Sequence, residues 1–350
     1  MNKKLTLCLF ILERQDFTLR FLKFYNEFDW PYQLIIGDGS KLNVNKSILN
    51  EIRKNKNIQY FKLKNEFDKK LKEYNHNKFY SRILFCLKKV KTKYVKFISD
   101  DDLPIAYSTL KCINLLEKNN NLDAAGGSAL DFSLSSKYYG KIKDIHSFYN
   151  IQNFKSKNVE TKVKQFYNKT FDCWHIVFRT NKINEIFKIS SAHNNDDKDF
   201  KDHFHELITH IFLKIYFFKD PLIFHESHND PHDGALRGNV LDRLRDHNFL
   251  HKLEQFSKSA NKVFKFKNKN FITKQYYRGI IVSYLNKYNY KSYHSLQDIA
   301  GIIKQNIKTK IKKYQNVESF LKKNKNNKLK KELILLENFL LDKNIWKKTQ

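Results

Sequence analysis

Residues 5–12, LTLCLFIL, form a nearly unbroken apolar run of strand length. A strand that is apolar on both faces needs cover on both faces, as in a parallel sheet between helical layers. The pattern recurs. Tyr32–Gly37 (YQLIIG), Ile58–Leu63 and Tyr94–Ser99 (YVKFIS) read as further strands. Between them lie stretches with helical spacing: Phe17, Phe21, Phe24, Tyr25 and Phe28 on one face, then residues 43–54 and 79–91. Residues 105–118 continue as a helix and Leu122–Ala129 as a strand, with Gly126 and Gly127 inside it. This β-α-β-α order predicts an α/β fold with a mostly parallel sheet flanked by helices.

The second half is less regular. Residues 131–170 carry weak patterning and read as a long excursion over one end of the sheet. Trp174–Arg179 (WHIVFR) reads as a strand, 200–218 as an apolar-rich helix and Pro221–His225 as a short strand. Beyond about residue 236 the pattern is helical and very basic. Two regions are therefore expected, 1–235 as the α/β domain and 236–350 as a helical C-terminal extension. The run LILLENFLL at 333–341 reads as a helix packing on the domain or on a partner, with a membrane-surface helix as the alternative.

A chain of 350 residues with 41% hydrophobic residues can bury a large core, and its 9 glycines and 4 prolines exclude a fibrous or loop-dominated protein. The net charge of +30 is spread along the whole chain, so most of it reads as solvated surface. The remainder suits phosphates of a nucleotide or an anionic membrane face. The four cysteines show no C-x-x-C spacing, and a disulfide framework is not expected. The longest early apolar run is far short of the ~20 residues that span a bilayer. The expected compartment is the cytoplasm, with a peripheral contact at the inner membrane as a further expectation.

In open α/β sheets ligands sit beyond the carboxyl ends of the strands. Two acidic signals fall there. Asp100, Asp101 and Asp102 follow YVKFIS directly. Three adjacent carboxylates repel one another, so something cationic should compensate. A hard divalent cation, Mn²⁺ or Mg²⁺ carrying a diphosphate, does this well, with Asp102 as its direct ligand. The alternative is that Asp102 caps the helix that follows. Asp38, in IIGDGS, stands at a strand end where a carboxylate can accept hydrogen bonds from a nucleoside; a plain Asp-Gly turn is the other reading. The run His225-Glu226-Ser227-His228-Asn229-Asp230-Pro231-His232-Asp233 offers metal-ligating side chains without a cysteine. His225 reads either as a metal ligand or as a packed strand-end residue.

Taken together, LTLCLFILERQ, IIGDGS, the helix around Ser81-Arg82 leading to YVKFISDDDLP, and AAGGSALDF resemble the family 2-like glycosyltransferases of the GT-A fold. The resemblance covers about residues 5–225. It implies a Rossmann-like GT-A domain that moves a sugar from a nucleotide-sugar donor, in an inverting manner. It implies a glycan or lipid-linked glycan acceptor, such as capsule or lipopolysaccharide. It places Asp38 at the nucleoside, Asp100, Asp101 and Arg82 at the donor, and Asp102, with His225, at the metal. For the base that deprotonates the acceptor it points to Glu206 in HFHELITHIF, with Asp202 and Asp197 behind it. A helical Glu paired with a lysine and a surface arginine are the plain readings of Glu206 and Arg82. Where the family has two acids before Gly-Ser, Gly37 replaces the first. The Gln-x-x-Arg-Trp motif of processive synthases is absent, which implies single addition. A sugar-nucleotidyltransferase would want glycine in the turn after the first strand, which reads ERQDF. A nucleic-acid-binding protein would want a clustered basic face, and no nucleic-acid partner is expected.

Overall fold

The computed structural model describes residues 4–28, 30–63, 76–147, 153, 156, 158, 159–167, 173–193, 198–227, 247–288, 312–314 and 316–342. The first run becomes strand β1 (Leu5–Ile11), buried along its whole length, and is followed by helix α1 (Gln15–Glu27). Strand β2 (Gln33–Asp38), α2 (Lys46–Arg53), β3 (Ile58–Lys62), α3 (His76–Lys89) and β4 (Tyr94–Ile98) continue the alternation. These four strands are mutually parallel in the order β4-β1-β2-β3. Parallel neighbours need crossovers, which the helices supply. α1 turns Phe17, Phe21, Phe24 and Tyr25 inward, the face that the spacing predicts.

Beyond β4 the sheet is mixed. Strand β5 (Asp102–Pro104), α4 (Ala106–Lys118), β6 (Ala124–Leu134), β7 (Ile142–Ser147), α5 (Val159–Tyr167), β8 (Val177–Arg179), α6 (Thr180–Ser191), α7 (Lys198–Phe212) and β9 (Ile215–Glu226) follow. β8 lies antiparallel between β4 and β6, and β9 runs parallel to β6 and antiparallel to β5. The α/β class with a parallel sheet flanked by helices is what forms.

Several boundaries differ from those the sequence pattern predicts. The strand expected to end at Ala129 runs on to Leu134, and the stretch read as an excursion contains β7 and α5. The segment 215–218, expected as the end of a helix, is instead the start of β9, because its apolar residues pair with Ala124–Gly126.

The described C-terminal elements are α8 (Phe249–Phe264), α9 (Phe271–Tyr288), β10 (Lys312–Tyr314), α10 (Val317–Lys323) and α11 (Asn327–Leu341). β10 extends the sheet beside β7. α11 contains the LILLENFLL run and lays Leu329, Leu333, Leu336, Phe339 and Leu340 on the domain, with the Phe339 ring 5.5 Å from that of Phe24. Its Glu332 accepts hydrogen bonds from the backbone N–H groups of Ala106 and Tyr107, each 2.7 Å long. The first turn of α4 is thus capped by a helix remote in sequence. Leu340 accepts a further bond from the N–H of Gly140, 2.9 Å, in the β6–β7 hairpin. No described helix is long and apolar enough to cross a membrane. All four cysteines are buried and unbridged.

Candidate functional site

The chain winds from β1 outward to β3, then returns through α3 to β4 on the other side of β1. The carboxyl ends of β1 and β4 therefore flank a topological switch point, where connections leave in opposite directions and where open α/β sheets take their ligands.

At the end of β1, Glu13 adopts φ +58°, a left-handed conformation that is strained for a residue with a side chain. Its N–H donates to the Ser40 hydroxyl over 2.9 Å, and Gly39 N–H donates to the Ile11 carbonyl over 3.1 Å. The turns after β1 and β2 are interlocked in this way. Asp38, fully buried, accepts from the Ser40 N–H at 2.8 Å, the Tyr60 hydroxyl at 2.5 Å and the Lys62 ammonium at 3.1 Å. Burial and the bond to Asp38 push the Tyr60 hydroxyl well above its ordinary range. Both oxygens of Asp38 are thereby used in shaping the Gly39–Leu42 turn.

Arg82 is buried and donates to the carbonyls of Ile11 (2.6 Å) and Gly37 (2.7 Å), so it ties the ends of β1 and β2 together. Gly37 faces this latch. A Cβ at that position would lie 2.7 Å from Cys86 Sγ and 3.2 Å from Arg82 Cγ. That crowding leaves no room for a side chain at this position without a shift of Cys86 or Arg82.

Past β4 the backbone turns tightly, with Asp102 N–H donating to the Ser99 carbonyl over 3.3 Å. All three carboxylates are buried. Arg14, immediately after β1, lies 3.1 Å from Asp100 and 2.7 Å from Asp101. Thr18 donates to Asp100 over 3.3 Å, and Arg20 donates to the Asp101 carbonyl over 3.1 Å. Arg20 also pairs with Glu226 and donates to the Tyr138 carbonyl over 3.2 Å. The repulsion among the three acids is relieved in large part by the chain's own cations.

Asp102 does not cap α4; it belongs to β5, in register with His225 of β9. One carboxylate oxygen accepts from His225 Nδ1 at 2.5 Å and the other from His175 Nε2 at 3.0 Å. In register with His225 on its other side stands Asp131 of β6.

The electrostatics follow from burial and these partners. Burial raises Asp100 to about 7, against the pull of Arg14 and with a push from Asp101. Asp102 is buried too, yet the two histidines hold it below the usual carboxylate range. Burial opposes the charge on His225, but its bond to Asp102 and the nearby Asp131 and Asp101 lift it to about 10. Asp131 rises to about 6 through burial, with His225 opposing and Asp102 adding. Perturbed carboxylates and imidazoles gathered at one end of a sheet mark a candidate functional centre, although structural ion-pair networks shift pKa values too.

Among the described residues, no three His, Cys, Asp or Glu side chains suffice to hold a metal ion by themselves. The pair that converges is Asp102 with His225, one oxygen and one nitrogen donor. These two atoms are bonded to each other, so a Mn²⁺ or Mg²⁺ ion held by the pair would displace the proton between them and take its remaining ligands from phosphate oxygens and water. Glu226, although inside the histidine-rich run, is committed to Arg20. Residues 228–233 of that run lie outside the described residues.

The structure thus brings Asp100, Asp101, Asp102 and His225 together, and places Asp38 and Arg82 at the neighbouring strand ends. Glu206 lies half-buried on α7, whose His205 bonds Ser190 of α6 over 2.9 Å and whose His210 contacts Cys173, two residues before His175, over 3.0 Å. Asp202 meets the Tyr80 hydroxyl at 3.4 Å, and Asp197 lies outside the described residues. Arg14, Arg20, Asp131 and His175 join the site without having been expected from the sequence. Of these only Arg14 carried a signal there, as the sole cation in the turn after the first strand.

Fold and site together define an α/β protein with a cluster of buried charged side chains at the carboxyl ends of its strands. No protein-family model matches the chain, and no curated protein matches it. Among solved structures it is similar to S. aureus TarS residues 1–349, with 14% identity, a TM-score of 0.45, and coverage of 76% of this chain and 73% of that one. The same S. aureus protein in complex with UDP-GlcNAc gives 13% identity and a TM-score of 0.44, covering 81% and 80%. Its UDP complex gives 13% and 0.42, covering 81% and 78%.

Proposed function

We propose that the chain is a glycosyltransferase that takes its sugar from a nucleotide donor. One observation carries this reading: at the switch point of the sheet, Arg14 from the tip of β1 meets Asp100 and Asp101 from the tip of β4, with Asp102 and His225 beside them. Such a crevice suits a nucleotide, and an adjacent oxygen-nitrogen pair suits the cation of its diphosphate.

In this reading Asp38 and the turn it shapes line the nucleoside end of the crevice. Arg82 keeps that turn in place from below. Asp102 and His225 would hold Mn²⁺ or Mg²⁺, which when bound offsets the charge gathering on the departing diphosphate. Arg14 keeps the neighbouring carboxylates in position and supplies positive charge at the same crevice. Glu206 takes the proton of the acceptor hydroxyl as it attacks in line, the arrangement of an inverting transfer. The acceptor is a glycan or lipid-linked glycan added one sugar at a time, and the strongly basic chain works beside an anionic membrane. Residues 1–235 make the catalytic domain and 236–350 the basic helical extension.

The test is a thermal-shift panel of nucleotide sugars, UDP-GlcNAc among them, with and without Mn²⁺. A ligand at a hundred times its Kd stabilises the folded state by roughly 2.7 kcal/mol, enough to read as a clear rise in Tm. Stabilisation that needs the metal and disappears in Asp102→Ala supports the proposal. A panel with no metal-dependent shift overturns it.

A further inference from the structure

We propose that His175 is a positioning residue: it holds Oδ2 of Asp102 so that Oδ1, which meets His225 Nδ1 in this structure, is the oxygen that turns to the cation of the donor when the cation takes the place of the proton between them. This rests on the reading of Asp102 given above.

The geometry is asymmetric in a way that separates the two histidines. His175 is largely enclosed, its side chain 12% exposed, whereas that of His225 is 40% exposed. The inner imidazole therefore backs the carboxylate and the outer one is open to solvent. The backbone at His175 is fixed on both sides. Trp174 stacks on Phe97 with ring centroids 5.1 Å apart and touches Phe10 and Phe79, each at 5.8 Å. Ile176, on the other side, is buried in the core. A side chain launched from so rigid a base cannot easily follow Asp102 if the carboxylate rotates.

Once a cation replaces the proton shared by Oδ1 and His225, His175 is the partner still holding Oδ2, and a carboxylate held there stays a single-oxygen ligand, whereas one released at both oxygens turns about its last torsion. Partners that hold a metal-binding side chain in this way are worth about 10–100-fold in metal affinity. The sequence signal for His175 is nothing more than one histidine within an expected strand, which is why its part emerges only from the fold.

The experiment is a titration of the 350-residue chain with Mn²⁺, alone and with UDP, read by the electron paramagnetic resonance of free and bound Mn²⁺. His175→Leu removes the donor. His175→Gln keeps an N–H able to reach Asp102. His175→Asn is a shorter second test should the leucine variant fail to fold, as judged by its metal-free Tm. The expected result is a loss of Mn²⁺ affinity of at least about tenfold in the leucine or asparagine variant, with most of the affinity restored in His175→Gln. Wild-type Mn²⁺ binding that the leucine and asparagine variants both retain overturns the role of His175 and leaves the proposed function standing. Absence of saturable Mn²⁺ binding to the wild-type chain, with or without UDP, overturns the cation site and this inference with it.

Discussion

The guanidinium of Arg14 lies 2.7 Å from a carboxylate oxygen of Asp101, and through it the turn after β1 is fastened to the tip of β4. The contact spans the switch point of the sheet, and it also reaches Asp100, 3.1 Å away. Arg14→Ala leaves two buried carboxylates without their nearest cation. Removing one partner of a buried pair costs about 3–5 kcal/mol, because the charge left behind is uncompensated. The expected outcome in urea unfolding is a loss of that size, with Arg14→Lys recovering only part of it, since lysine is shorter and loses the stacking of the guanidinium on the Phe17 ring, 4.4 Å away. A loss below ~1 kcal/mol would show that the two carboxylates do not depend on this contact.

Lys96 stands in the centre of β4, fully buried, donating to the Thr109 hydroxyl at 3.3 Å and the Leu222 carbonyl at 3.1 Å. Burial lowers its pKa from 10.5 to about 7, against the upward pull of Cys112, Asp102 and Glu332. Between those two values the unfolded chain holds a proton that the folded chain does not. Stability from this group therefore rises with pH through the window, by up to about 1.4 kcal/mol per pH unit. Lys96→Met abolishes that slope. Its stability relative to wild type should be highest near pH 7 and fall steadily as the pH climbs toward the ordinary lysine range. An offset that stays constant across that range refutes the prediction.

Gly37→Ala places a methyl 2.7 Å from Cys86 Sγ. Overpacking of this kind costs about 1–3 kcal/mol. The double variant with Cys86→Ala should recover much of the loss, since the two positions share one space. Simple addition of the two single effects would show that the clash is absorbed elsewhere.

Glu206→Gln tests the base assigned to α7. Donor-dependent stabilisation should persist while sugar transfer falls by about 10²–10⁴-fold, the range ascribed to a positioned general base. Turnover equal to wild type would remove Glu206 from that role.

The strands that form the parallel half of the sheet were legible because they are apolar on both faces, which only an element covered on both sides can tolerate. The acid cluster was legible too, since three carboxylates at the end of such a strand stand out in any composition. What escaped was assembled from single residues far apart in sequence. His175 and Arg20 have no spacing partner, and their meaning comes only from where β8 and α1 carry them. Charge compensation shows the same limit. Repulsion among Asp100, Asp101 and Asp102 calls for a cation, but nothing in the sequence says that Arg14, His175 and His225 supply so much of it. The start of β9 was hidden for a different reason: its apolar residues follow α7 directly, so one long run reads as one element. Pairing with β6, a non-local event, decides the boundary.

The cap that Glu332 places on α4 joins residues more than two hundred positions apart, and Leu340 anchors the β6–β7 hairpin from the same helix. On a ribosome, α4 is made long before its cap exists. Its first two amides wait, hydrated or unbonded, until residues 327–341 emerge and dock. Native closure of this domain is thus a late event in synthesis. A nascent chain stalled before residue 327 should be caught by holdase chaperones and nicked by proteases, even though every strand of the parallel half has already been made.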